Sequence, residues 1–199
     1  MSFETTIFIN CPFDNDYKPL KDVMLFTVIY CGLSPIMCQT SDSGQTRVDE
    51  IKQMINVSKF CIHDLSRMEI IDDRFNMPFE LGLDLGCKHF GNENHKTKKC
   101  LIFEKEKYRI KSVLSDLAGN DIYTHNNEPE ELVSELRNWL KINLTGKVIF
   151  GGEKIWQEYN LFKTYFETAA KENGHSKKYM GKIPYTEFIE YINDWIKSK

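Results

Sequence analysis

Short apolar runs that alternate with helix-like stripes constrain the fold of this chain more than any other feature of its sequence. The runs predict strands at residues 7–9, 33–38, 59–64, 100–103 and 121–123. Between them, apolar residues recur at three- and four-residue spacing, as they do on one face of a helix. Strands that are apolar throughout and are each followed by a helix indicate a parallel sheet that is covered on both faces.

Right-handed connections between such strands predict an α/β fold with three layers, α/β/α, around a five-stranded parallel sheet of flavodoxin-like type. We expect this domain to span residues 1–147. Residues 148–199 differ in character and predict a helical hairpin, with helices at 153–173 and 184–196. Its large apolar residues are Trp156, Tyr159, Phe162, Phe166, Phe188, Ile192 and Trp195. They indicate either a hairpin packed on the main domain or an exposed surface that binds a second copy or another partner.

Composition excludes several classes of protein. The 199 residues carry a formal net charge of -3, so bulk charge gives no reason to expect nucleic acid as a partner. No apolar run approaches the roughly 20 residues of a membrane span, and a predicted strand begins too early for a signal peptide. We therefore expect a cytoplasmic protein that does not bind membranes.

The cysteines predict reduced, packed thiols and no metal site. The six cysteines fall mostly in apolar segments, and no two form a C-x-x-C pair. Cys87 and His89 lie close together but lack a second ligand pair at suitable spacing. The sequence thus predicts no bound metal and no resident cofactor.

Polar residues follow the first three predicted strands, where an open α/β sheet binds its ligands. Asn10, Pro12, Phe13 and Asp14 follow the first strand and could form the floor for a base or sugar, although Asp14 could instead cap the next helix. Ser43, Gly44 and Arg47 follow the second strand and could hold an anion at a helix N-terminus, or could simply begin a capped helix. Asp64, Ser66 and Arg67 follow the third strand, where an acid could bind sugar hydroxyls or form a local turn.

Glu80 is the strongest candidate for a catalytic residue. It lies in or just after the first turn of a predicted helix, together with Asn76 and Phe79. We expect it to lie over the carboxyl edge of the sheet, where the helix N-terminus favours an ionised carboxylate. Such a carboxylate can stabilise positive charge on a sugar carbon. The alternative is a first-turn acid that only stabilises its own helix.

Three segments together resemble the superfamily of nucleoside 2-deoxyribosyltransferases and TIR-like proteins. They are residues 8–13 (FINCPF), 63–66 (HDLS) and 76–82 (NMPFELG), and the likeness covers residues 5 to about 142. In that superfamily a substrate-floor motif follows the first strand, and an N-x-x-x-E-L-G or F-E-L-G segment carries the catalytic glutamate.

The resemblance implies cleavage or transfer at an N-glycosidic bond of NAD or a related nucleotide or nucleoside. It makes Glu80 the catalytic glutamate, places Asp64 near the substrate and makes Pro12 and Phe13 the floor. The chain lacks the glycine-threonine of the transferases' acidic segment, and Pro78-Phe79 stands where signalling TIR domains usually carry tryptophan. It is thus similar to bacterial TIR-like proteins of phage-defence loci, which often act as homo-oligomers.

Three functions remain open at this point. The first is an N-glycosidase or glycosyltransferase, with NAD as a candidate substrate. The second is a module that senses a nucleotide at the same crevice without turning it over. The third is a scaffold that assembles through its aromatic C-terminal residues.

Overall fold

A computed structural model of the chain describes residues 2–38, 44, 46–67, 76–107, 114–117 and 119–199. Five parallel strands form one sheet in the order β2-β1-β3-β4-β5. The strands are β1 (Thr6–Asn10), β2 (Ser34–Ile36), β3 (Phe60–Asp64), β4 (Lys99–Glu104) and β5 (Ile122–Thr124). This is the flavodoxin-like strand order, and the predicted α/β fold class is confirmed.

The helices follow the predicted order, with two short additions. They are α1 (Lys18–Tyr30), α2 (Arg47–Val57), α3 (Asn76–Phe90), α4 (Glu93–Lys96), α5 (Pro129–Asn143), α6 (Gly152–Glu172), α7 (Lys177–Met180) and α8 (Tyr185–Lys197). The sequence analysis did not predict α4 or α7, each of which is a single turn. Within the described ranges, none of the helices combines the length and the apolar composition that crossing a bilayer requires.

Alternate residues of the central strands face different layers, as the pleat of a strand requires. Ile7, Ile9 and Phe60 belong to the larger hydrophobic core, which also contains residues of α1, α5, α6 and α8. Phe8 and Cys61 belong to a second core with residues of α2. The sheet therefore has an α1/α5 face and an α2/α3 face. Each polar side chain of a strand points to one of these two faces.

The C-terminal extension packs against the outside of α1 and α5. Phe162 of α6 is fully buried, and its ring contacts Phe26 of α1 as well as Phe188 and Trp195 of α8. Because α1 has the sheet on one side and the extension on the other, it buries apolar residues almost all round. The aromatic residues of the hairpin are thus mostly internal, as the packed-hairpin interpretation predicts.

Strand β2 is shorter than the sequence predicts. It covers only Ser34–Ile36, whereas the apolar run extends over residues 33–38. Pro35 has no backbone N–H to donate, so it is tolerated only at a sheet edge, which is where β2 lies. The other predicted strand ends lie within a residue or so of the observed ones.

Truncation of Phe162 tests whether the extension belongs to the core. We expect Phe162→Ala to lower the free energy of unfolding by about 3–5 kcal/mol, because a buried aromatic ring leaves a cavity. Urea denaturation followed by circular dichroism measures the change. The matched control is Leu161→Ala at the neighbouring position, where the side chain is 56% exposed and the change should stay within about 0.5 kcal/mol. Equal effects of the two substitutions would contradict this packing.

Candidate functional site

The candidate site lies where the strand order reverses, at the carboxyl ends of β1 and β3. In open α/β sheets this switch point is the usual place for a ligand. Asn10 ends β1 and is the register partner of His63 in β3. Helix α3 begins at Asn76 and passes over this edge with Glu80 in its second turn.

A hydrogen bond from Asn10 holds the start of α3 against the sheet. The Asn10 side-chain amide Nδ2 donates to the backbone oxygen of Met77, with a separation of 3.1 Å. The same Nδ2 lies 3.1 Å from Nδ1 of His63. Since Asn10 is nearly fully buried, this amide connects β1, β3 and the first turn of α3 without competition from water. It positions the turn that precedes Glu80.

Glu80 is a buried carboxyl group whose pKa is raised. Only 4% of the residue is exposed, and burial raises the pKa above its ordinary value because a charged carboxylate is poorly solvated there. Arg47 and His63 lower the pKa, but less than burial raises it. The net direction differs from the sequence expectation, in which the helix N-terminus favours the charged form. A carboxyl group with a raised pKa is a stronger base when ionised than an ordinary glutamate, which suits proton transfer or nucleophilic chemistry.

A buried polar chain that the sequence analysis did not predict continues below Glu80. His63 Nε2 lies 3.1 Å from Oδ2 of Asp84, and Lys98 Nζ lies 3.1 Å from Oδ1 of the same carboxylate. Burial opposes the charge on Asp84, but His63 and Lys98 together lower its pKa below the ordinary value. Two signals in the sequence could have revealed the chain. A histidine interrupts an apolar strand, and Asp84 follows Glu80 by four residues on the same face of a helix.

Asp64, the second predicted catalytic residue, lies on the other face of the sheet. Its oxygens accept hydrogen bonds from Tyr17, from the backbone and hydroxyl of Ser66, and from Nε2 of His125 at 3.0 Å. Burial raises the pKa of Asp64, but these hydrogen bonds outweigh it and the net shift is downward. The structure therefore gives Asp64 a structural role and does not bring it to Glu80. Its contact with a substrate stays a prediction.

The group Ser66, His125 and Asp64 is not a hydrolytic triad, although it contains the same residue types. In such a triad the acid binds Nδ1 of histidine and the serine binds Nε2. Here Nε2 of His125 contacts both the Asp64 carboxylate and, at 3.0 Å, the Ser66 hydroxyl. Nδ1 accepts the backbone N–H of Asn127. All three residues are buried, so the cluster fits a role in stability.

The predicted substrate floor is partly exposed. Phe13 is 41% exposed and Phe79 is 52% exposed, whereas Pro12 is buried. Asn76 is exposed at the start of α3. The Lys21 ammonium lies 5.4 Å from the centre of the Phe13 ring. The role of Phe13 as a substrate floor and the contact of Phe79 with a substrate stay predictions.

Two other predicted contacts are occupied by the protein itself. Asp14 accepts the backbone N–H of Tyr17 at 2.9 Å and lies 3.3 Å from Nη2 of Arg67, so it stabilises the turn before α1. Asp14 therefore has a local structural role, but it does not cap α1, whose N-cap is Tyr17.

The N-terminus of α2 is likewise partly satisfied by its own residues. The Thr46 hydroxyl caps the backbone N–H of Asp49, and two acidic residues follow in the first turn. Gly44 and Arg47 are exposed near this end of the helix, and Ser43 lies outside the described residues. Of these groups, Arg47 is the one whose charge acts on Glu80.

The comparisons with known proteins add no relative. The chain matches no family model, no curated protein and no solved structure. The geometry of the site and the motifs in residues 8–13, 63–66 and 76–82 are therefore the observations that bear on its function.

Replacement of Glu80 tests its burial. A raised pKa means that the folded protein holds this proton more tightly than the unfolded chain, so stability falls as the pH rises through the folded pKa. Glutamine carries no charge, so we expect Glu80→Gln to melt about 2–4 °C above the unaltered protein near pH 8. The difference should disappear near pH 4, below the ordinary glutamate pKa. Differential scanning fluorimetry measures both, with the exposed Glu153→Gln as control. A lower melting temperature near pH 8 would contradict the account.

Replacement of Asp64 tests its structural role. We expect Asp64→Asn to destabilise the protein by about 2–4 kcal/mol, because Tyr17, Ser66 and His125 lose a charged acceptor in a buried site. Urea denaturation at neutral pH gives the value, and Asp121→Asn at an exposed position serves as the control. If the two variants were equally stable, the network would contribute nothing to the fold.

Proposed function

We propose that the protein is an enzyme that cleaves the N-glycosidic bond between nicotinamide and ribose in NAD, with Glu80 as the carboxylate that acts on the anomeric carbon. The observation that carries the proposal is the position of Glu80, a buried acid with a raised pKa at the switch point of a parallel sheet. The resemblance of residues 76–82 to an F-E-L-G segment supports the same assignment.

The chemistry requires one carboxylate at the sugar. As the C–N bond breaks, its electron pair goes to the pyridinium ring and positive charge develops on the ribose as an oxocarbenium-like species. Ionised Glu80 stabilises that charge electrostatically or adds to the carbon as a nucleophile. Water then attacks the same carbon and loses a proton to the carboxylate or to solvent, which gives ADP-ribose.

The separation of Glu80 from Asp64 favours NAD over ordinary nucleosides. Nicotinamide in NAD is already cationic and leaves as a neutral base, so no acid has to protonate it. The base of a nucleoside is neutral and leaves readily only when an acid delivers a proton, as the second carboxyl group does in glycosidases. Asp64 is on the opposite face of the sheet and has a lowered pKa, so it is unsuited to that role.

Exposed groups next to Glu80 in the sequence, and at the end of β1, suit the rest of the nucleotide. The rings of Phe79, which precedes Glu80, and of Phe13, which follows β1, can stack on an adenine or a nicotinamide. Arg47, at the first position of α2, can pair with a phosphate while its charge favours ionised Glu80. These contacts would use binding energy away from the reacting carbon to position the ribose.

Turnover of NAD by the full chain tests the proposal. We expect nicotinamide and ADP-ribose to appear in equal amounts when NAD is incubated with the protein and the mixture is separated by chromatography. NADH should not be cleaved, because its dihydronicotinamide is uncharged, and adenosine and deoxyadenosine should be cleaved far more slowly. Glu80→Gln should reduce the rate by about 100-fold or more, and Glu153→Gln should leave it unchanged. The rate is measured at several protein concentrations. If activity requires association of chains, the rate will rise more steeply than the protein concentration does.

Three outcomes would overturn the proposal. One is the absence of NAD cleavage at every protein concentration. Another is full activity in Glu80→Gln. The third is a protein that NAD stabilises against heat but from which NAD is recovered unchanged, which would support the sensing module.

A further inference from the structure

A cluster of metal-ligating side chains lies on the α2/α3 face of the sheet and takes no direct part in the proposed reaction. Cys61 and His63 are two residues apart in β3, so they point to the same face. Cys100 of β4 is the register partner of Cys61. One ligand atom from each of these three residues lies within 4.8 Å of the other two.

Asp84 of α3 adjoins the cluster through the histidine. Its Oδ2 lies 3.1 Å from Nε2 of His63, and the residue is only 1% exposed. Three potential ligands of the nitrogen and sulfur types that zinc prefers therefore converge from two strands, with a carboxylate next to one of them.

We propose that Cys61, His63, Asp84 and Cys100 form a binding site for one thiophilic divalent cation, Zn²⁺ in the first instance. The donor set indicates the metal class, because thiolate sulfur and imidazole nitrogen select zinc and its neighbours over magnesium or calcium. The site would tie β3, β4 and α3 together directly beneath the turn that carries Glu80.

The separations fit a tetrahedral ion after a small contraction. Bonds of about 2.0–2.1 Å to nitrogen or oxygen at a tetrahedral angle place those two ligand atoms about 3.3 Å apart. The observed His63–Asp84 separation of 3.1 Å is close to that. Bonds of about 2.3 Å place two sulfurs about 3.8 Å apart, so the 4.8 Å bound of the cluster requires movements of about 1 Å or less.

The charges balance with and without the ion. In the absence of metal, the charges of the Asp84 carboxylate and the Lys98 ammonium cancel. Binding of a divalent cation with transfer of both thiol protons to solvent leaves the buried cluster neutral again. A buried site can bind the ion only if the metal-bound cluster is neutral, because an uncompensated buried charge would be strongly unfavourable.

Titration of the reduced, metal-free full chain with Co²⁺ and Zn²⁺ tests the site. We expect one ion per chain, thiolate-to-cobalt charge-transfer absorption with the intense visible bands of tetrahedral cobalt, and release of two protons per ion in weakly buffered solution. Cys100→Ser and Asp84→Asn should each weaken cobalt binding by more than about 10-fold. The control is Cys31→Ser, a buried cysteine on the other side of the sheet, which should bind as the unaltered protein does. Glu80→Gln should also bind normally, which separates this inference from the proposed enzyme.

The inference is overturned if the reduced chain binds no cobalt at micromolar concentration. It is also overturned if binding lacks thiolate absorption, or if Cys100→Ser and Cys31→Ser bind equally well. Circular dichroism of each variant confirms that it is folded, and a variant that is not folded is replaced by Cys100→Ala, since Cys100 is only partly buried.

Discussion

The opposite orientation of two adjacent residues in β3 determines the chemistry that this fold can support. His63 faces α3, where it joins Asn10 and Asp84 and affects the pKa of Glu80, while Asp64 faces α1 and binds Tyr17 and His125. Successive side chains of a strand point to opposite faces. No small adjustment can therefore bring Asp64 to a substrate that is bound at Glu80. Of the two predicted catalytic acids, only Glu80 lies on the α2/α3 face, so a reaction that does not need both is the better match.

Stability and function compete on the α2/α3 face. Burial of Glu80 costs stability whenever the carboxylate is charged, and the energy must come from the packing of the rest of the domain. The aromatic residues around Phe162 provide such packing, since the extension covers α1 and joins the main core. The α1/α5 face thus supplies packing energy, and the α2/α3 face carries the buried Glu80 carboxyl group.

The sequence predicted the sheet and the position of Glu80 because both depend on local patterns. Apolar runs followed by helical stripes identify parallel strands, and the strand order then determines where the switch point lies. The polar networks were not predictable in the same way. Asp64 and His125 are 61 residues apart and Cys61 and Cys100 are 39 apart, and only the register of the sheet brings each pair together. The spacing of Cys61 and His63 was a visible signal, but it acquires meaning only with its partner on β4.

A crystal structure of the Glu80→Gln variant with NAD bound would test the central claim most directly. The account predicts that the nicotinamide ribose lies at the carboxyl edge of β1 and β3, with its anomeric carbon within about 3.5 Å of the side chain at position 80. NAD bound elsewhere on the chain, or with its ribose turned away from that side chain, would contradict it.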